Sequence, residues 1–133
     1  MSEESAAELQ TRAHAALAPF VEVSETSDGS LGFEYAGALC SMRAVNLAPG
    51  LDVLSLTAVL AWDRPVSTTL HKKVAAKNDS LQFGLVSVIT RSRLADVILR
   101  YTFPAAGLED TALTTMLLLV LAGVEDSRQG LIP

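Results

Sequence analysis

The chain has 133 residues, half of them apolar, a single cysteine and a formal net charge of −5. That length suffices to bury a core as one domain without a metal or disulfide staple, and one cysteine excludes an internal disulfide and suits a reducing cytoplasm. The longest apolar run, residues 116–124, falls far short of the ~20 residues a membrane-spanning helix needs; the acidic N-terminal MSEESAAELQ lacks the regions of a secretion signal, so a cytoplasmic protein free of the membrane is expected.

Residues 3–18 read as an amphipathic helix. Leu9, Ala13, Ala16 and Leu17 share one stripe, Ser5 and Glu8 have capping-box spacing, and Glu3 and Glu4 suit the positive end of the helix dipole. Pro19 ends it. FVEVSE at 20–25 alternates as a half-buried strand does, and the turn residues 26–30 lead to a second strand with Leu31, Phe33 and Tyr35 on one face. ALCSMRAVNL at 38–47 makes a third strand, which Ala48-Pro49-Gly50 turns into a long one starting at Asp52. There Leu54, Leu56, Ala58, Leu60 and Trp62 fall on one face, and Val53, Ser55, Thr57, Val59 and Ala61 on the other, because successive strand side chains point to opposite sides. Closely linked sequential strands favour an antiparallel meander.

Pro65 is expected to stop the fourth strand, and Ser67 to cap a helix over 68–78. Two further strands, 83–90 and 95–103, flank the polar turn RSRL, and a last helix opens at Pro104 and Gly107 and runs to about Gln129. Leu113, Met116, Leu117, Val120 and Val124 form its buried stripe, widened by Leu118, Leu119 and Leu121. The expected architecture is therefore a single α+β domain over 1–133, with an antiparallel sheet, helices mainly on one face and the order α-β-β-β-β-α-β-β-α.

Chemistry is hard to find in these residues. His14 and His71 lie on different helices without metal-ligand spacing, so no metal site is expected. Cys40 has no neighbour that would lower its pKa. SDGSLG at 27–32 has two glycines but no phosphate-loop ending, and no Gly-x-Ser-x-Gly elbow occurs. The acid pairs Glu109–Asp110 and Glu125–Asp126 stand at opposite ends of one helix. Asn78-Asp79-Ser80 matches a glycosylation sequon but has no secretory context. No catalytic residue and no cofactor is assigned, and a non-enzymatic role is expected.

The charge is uneven. Residues 64–103 hold seven of the ten basic residues (Arg64, Lys72, Lys73, Lys77, Arg91, Arg93 and Arg100) against Asp79 and Asp96, leaving +5 there and −10 elsewhere. This segment supports an alternative reading, a regulator binding an anionic ligand or nucleic acid. The acidic remainder and scarce aromatics argue against specific nucleic-acid recognition.

Several features carry a family likeness: the Asp28-Gly29 turn before Phe33-x-Tyr35, the strand over 52–62, Pro65 ahead of the helix, Asn78-x-x-Leu81-x-Phe83-Gly84 after it, and Arg100-Tyr101-x-Phe103. With the element order they resemble the YbjN family of bacterial proteins, which has the type III secretion chaperone-like fold, over about residues 5–126. The resemblance implies a cytoplasmic bacterial protein, often a homodimer, that binds a protein or peptide client and needs no cofactor. Three basic residues on the middle helix depart from the secretion chaperones, so no dimer interface is carried over there.

One face remains to be assigned. If three helices cover one side of the sheet, the other still carries Val53, Val59, Val86, Val88 and Ile98 among Ser55, Thr57 and Arg100. That mixture is too apolar for ordinary solvent surface and too polar for a closed core. Val53, Thr57, Val59, Val86, Val88, Ile98 and Arg100 are therefore taken as partner-binding residues. The competing reading is that the last helix, apolar on more than one side, folds over this face.

Overall fold

The long alternating strand becomes the spine of a six-stranded antiparallel sheet in a computed structural model that describes residues 5–131. The strands are β1 (Ser24–Glu25), β2 (Leu31–Tyr35), β3 (Ala38–Ala48), β4 (Leu51–Pro65), β5 (Leu85–Arg91) and β6 (Leu94–Pro104), and the helices are α1 (Ala6–Leu17), α2 (Thr68–Ser80) and α3 (Asp110–Arg128). Their spatial order is β1-β2-β3-β4-β6-β5, so β3 and β4 are central and β1 and β5 are the edges. The α+β class and the element order match the expectation from sequence.

All three helices bury their stripes in one cluster. Leu9, Ala13 and Leu17 of α1, Leu70 and Val74 of α2, and Leu113, Leu117, Val120, Leu121 and Val124 of α3 meet Phe33, Cys40, Met42, Leu54, Leu56, Leu60, Val97, Leu99 and Phe103 of the sheet. The last helix therefore packs with the other two and does not fold over the opposite face. Ser5 and Ser67 cap α1 and α2 by accepting from the backbone N–H groups of Glu8 and Leu70. Arg12 on α1 joins Asp110 at the start of α3 at 3.0 Å. The dipole role expected for Glu3 and Glu4 lies outside the described residues.

Several boundaries move, and one strand carries an irregularity. Only Ser24 and Glu25 of the expected 20–25 strand pair with β2, because the N–H groups of Phe20 and Val21 still bond to the carbonyl of Leu17 and prolong the helix end as a turn. β4 runs through Pro65, which pairs with Leu94, instead of stopping before it. α3 begins at Asp110, after the turn in which the N–H of Leu108 bonds to Ala105. The most consequential change is a bulge in β4: the register shifts between Val59 and Ala61, and adjacent Leu60 and Ala61 are both buried on the helix side. The bulge reverses parity at Trp62, and a second register shift between Ala61 and Arg64 restores it. Trp62, expected on the core face, is instead 55% exposed on the other.

Asn78 has a structural task that the sequon reading did not suggest. Its side-chain amide donates to the carbonyl of Val86 at 2.9 Å and accepts from the N–H of Val86 at 2.8 Å. These are backbone groups that an edge strand would otherwise leave unpaired, so α2 is fastened to β5 by one side chain.

Candidate binding surface

Antiparallel register places side chains opposite one another on the sheet face away from the helices. Val59 stands between Leu39 and Ile98, Thr57 between Ser41 and Arg100, and Ser55 between Arg43 and Thr102. β5 extends this surface, with Ser87 opposite Ile98, Leu85 opposite Arg100 and Ile89 opposite Asp96. Leu39 is 48% exposed, Leu85 58% and Ile89 37%. With Trp62 they make an apolar band across β3, β4, β6 and β5, over which none of the three helices packs.

The band has a polar frame. Ser55 and Thr102 share a hydrogen bond of 3.1 Å. At the bulged end of β4, Arg91 reaches Asp63 at 2.6 Å and Asp96 at 2.9 Å. The N–H of Asp63, whose φ is 49°, donates to the Asp96 carboxylate at 3.0 Å. That backbone bond, followed by the Arg91 guanidinium, holds Asp96 below the usual carboxylate range. Both aspartates hold Arg91 above its usual value, Asp63 most strongly.

Of the seven residues read as partner-binding, five lie on this face by register: Val53, Thr57, Val59, Ile98 and Arg100. Val53 is only 3% exposed and contributes little open surface. Val86 and Val88 do not lie there. They pair with Leu99 and Val97 and point to the helix side, so both are corrected to core positions. The reason is local: 85–89 is Leu-Val-Ser-Val-Ile, apolar in both parities, and periodicity cannot decide which set faces inward. Leu85 and Ile89 take the outer places assigned to the two valines. Leu39 was missed for the same reason, as it adjoins Ala38 and Cys40 in an apolar run.

No family model matches the chain, and no curated protein does. Among solved structures, YbjN from E. coli, a protein described as a candidate transcription regulator, superposes with a TM-score of 0.60. The match covers 95% of this chain and 94% of that one at 11% identity. The chain has the YbjN fold.

Within it, the residues that carry the resemblance turn out to build the fold. Asp28 accepts from the N–H of Ser30 and Gly29 takes φ of +85° in the β1–β2 turn. Phe83, Tyr101 and Phe103 form an aromatic row, with centroids 5.8 and 5.3 Å apart. Asn78 fastens the edge strand. Of the residues that carry the resemblance, only Arg100 and the outward side of the 52–62 strand, with Val59 and Trp62, reach the open face.

Other chemistry stays dispersed. No cluster of three His, Cys, Asp or Glu suited to a metal occurs among the described residues. Cys40 is buried and its thiol is pushed up to about 12 by desolvation. No described helix is long and apolar enough to cross a membrane. The basic segment divides as well: Lys72, Lys73 and Lys77 ride on α2 at the helix side, Arg100 is on the opposite sheet face, and Arg91 is held by two aspartates.

Proposed function

We propose that this chain is a non-enzymatic protein- or peptide-binding module of the bacterial cytoplasm, chaperone-like or regulatory, acting through the open sheet face and forming a homodimer. The observation that carries this reading is the band Leu39–Val59–Ile98 with Trp62, Leu85 and Ile89. It is contiguous, apolar, framed by charges and uncovered by the chain's own helices. Exposed apolar patches of this kind mark interaction sites on soluble domains. The regulatory role described for YbjN is compatible with it. Specific nucleic-acid binding is not part of the proposal, because the basic residues are split between the two sides of the sheet and an acidic chain surrounds them.

A stable contact removes about 800 Å² from each partner. Val59→Arg and Ile98→Arg place charges in the middle of the band without touching the helix-side core. Each should leave the circular dichroism spectrum and cooperative melting intact while weakening self-association in sedimentation velocity and weakening client binding. A wild type that stays monomeric, binds its co-purified proteins no better than Val59→Arg does, and loses its fold in both variants would refute the reading.

A further inference from the structure

The second surface of interest lies on the other side of the molecule, between α2 and α3. Lys73, Ala76, Lys77 and Ser80 present one face of α2, and Leu119, Ala122, Gly123 and Asp126 one face of α3. The two faces line an open cleft of about 680 Å³, within the roughly 300–1,000 Å³ usual for small-molecule sites. From Lys73 to Ser80 the α2 wall is about 10 Å long.

Its two ends differ in character. The ammonium of Lys73 donates to the carbonyl of Gly130 at 3.1 Å, and that of Lys77 to the carbonyl of Gln129 at 2.5 Å. Both therefore gather at the C-terminus of α3, where carbonyl dipoles favour cations. Each ammonium has three donors and uses one in these contacts. At the other end, Leu81 lies against Gly123, where an added Cβ would stand 3.0 Å from its Cδ1, and Phe83 and Leu119 continue the apolar lining. The two like charges also stand four residues apart on one helix, a destabilising spacing. Burial and Lys73 push Lys77 below its usual pKa. An anion between them relieves that repulsion.

We propose that this cleft binds one medium-chain anionic amphiphile, its carboxylate head between Lys73 and Lys77 and its tail over Ala76, Ala122 and Gly123 toward Leu81. One negative charge and an apolar tail match two ammoniums beside an apolar wall. Asp126 and the C-terminal carbonyls of α3 offset part of the lysine charge, so the cleft has room for a single negative charge and disfavours polyphosphates, which bring more than the two lysines can neutralise. The ligand is the free amphiphile and not a bilayer surface.

Decanoate, titrated below its micelle concentration and followed by calorimetry, tests the site. Saturable one-to-one binding is expected, with decyltrimethylammonium failing to compete. Lys73→Gln with Lys77→Gln should weaken decanoate by about tenfold or more, since the charge-assisted hydrogen bonds to its carboxylate are lost. Ala122→Trp, which fills the cleft from an exposed helix position, should abolish binding with the fold intact. Val59→Arg, on the opposite side of the sheet, should leave decanoate binding unchanged, so the two proposals fail separately. Absence of saturable binding, equal affinity in the glutamine variant, equal binding of the cation, or capture only by anionic vesicles would overturn it. So would an acidic amphipathic peptide that occupies the cleft when decanoate does not.

Discussion

Asn78→Ala asks how far a single side chain secures the edge of this sheet. The amide makes two hydrogen bonds to Val86, at 2.8 and 2.9 Å, and both are partly buried. A typical net contribution of about 1 kcal/mol each gives roughly 2 kcal/mol lost. Alanine is the better helix former by about 0.6 kcal/mol, which leaves a destabilisation of roughly 1.5 kcal/mol. In a domain of this size that corresponds to a fall of about 6 °C in Tm. Urea unfolding followed by circular dichroism measures it, at low protein concentration because the freed N–H and C=O of Val86 can also recruit another strand. The midpoint should fall with m unchanged. A variant within about 0.5 kcal/mol of wild type, the range of ordinary surface substitutions, would show that water replaces Asn78 without loss and that the clamp carries no stability.

Three further outcomes follow from the same structure. Cys40, with its thiol pushed up to about 12 by burial, should resist a disulfide-exchange reagent in the native state and react at a rate set by unfolding; prompt labelling of the folded protein would contradict its placement. Asp96, held below 3.8 first by the Asp63 N–H and then by Arg91, contributes stability that is present above its unfolded value and lost as pH falls through the lower folded value. Arg91→Ala should shrink that acid-side loss, as read by urea midpoints at neutral and acid pH, and an unchanged pH profile would refute the coupling. Trp62, the single tryptophan, should show solvent-exposed emission and ready acrylamide quenching in the dilute protein, and become protected when a partner covers the band; buried emission from the monomer would place it back in the core.

Element types and order were legible because period-2 and period-3.6 patterns are clear where one side of an element is polar. β6 shows this well: Asp96, Arg100 and Thr102 alternate with Val97, Leu99 and Phe103, and its inward face was assigned correctly. Legibility fails where both parities are apolar. In β5 the choice between Val86 with Val88 and Leu85 with Ile89 depends on Asn78, which fixes Val86 toward the edge, and on pairing with Leu99. Neither contact is local. The β4 bulge is invisible for a related reason, since Leu60, Ala61 and Trp62 are all acceptable inward residues and only the pairing of Ala61 with Val97 shows that an extra residue has been absorbed. The α2–α3 cleft depends on two helices some 50 residues apart in sequence reaching the same side of the sheet, and no pattern within either helix announces it.

The sheet offers two routes for a partner, its edges and its open face, and the structure weighs against the edges. β1 contributes two residues, too few to template an added strand. On β5, Asn78 already occupies both backbone groups of Val86, so only Val88 and Thr90 of the same parity remain toward the edge. Strand addition there would gain a few main-chain bonds and then meet Arg91. The open face has no such obstruction. The bulge that turns Trp62 outward adds a large aromatic at the end where Arg91 bridges Asp63 and Asp96, and aromatics are the side chains that contribute most at interfaces. A regular β4 would have sent Trp62 into the core and left Ala61 on the surface. The irregularity that defeated the parity reading is therefore also what gives this face its largest aromatic side chain.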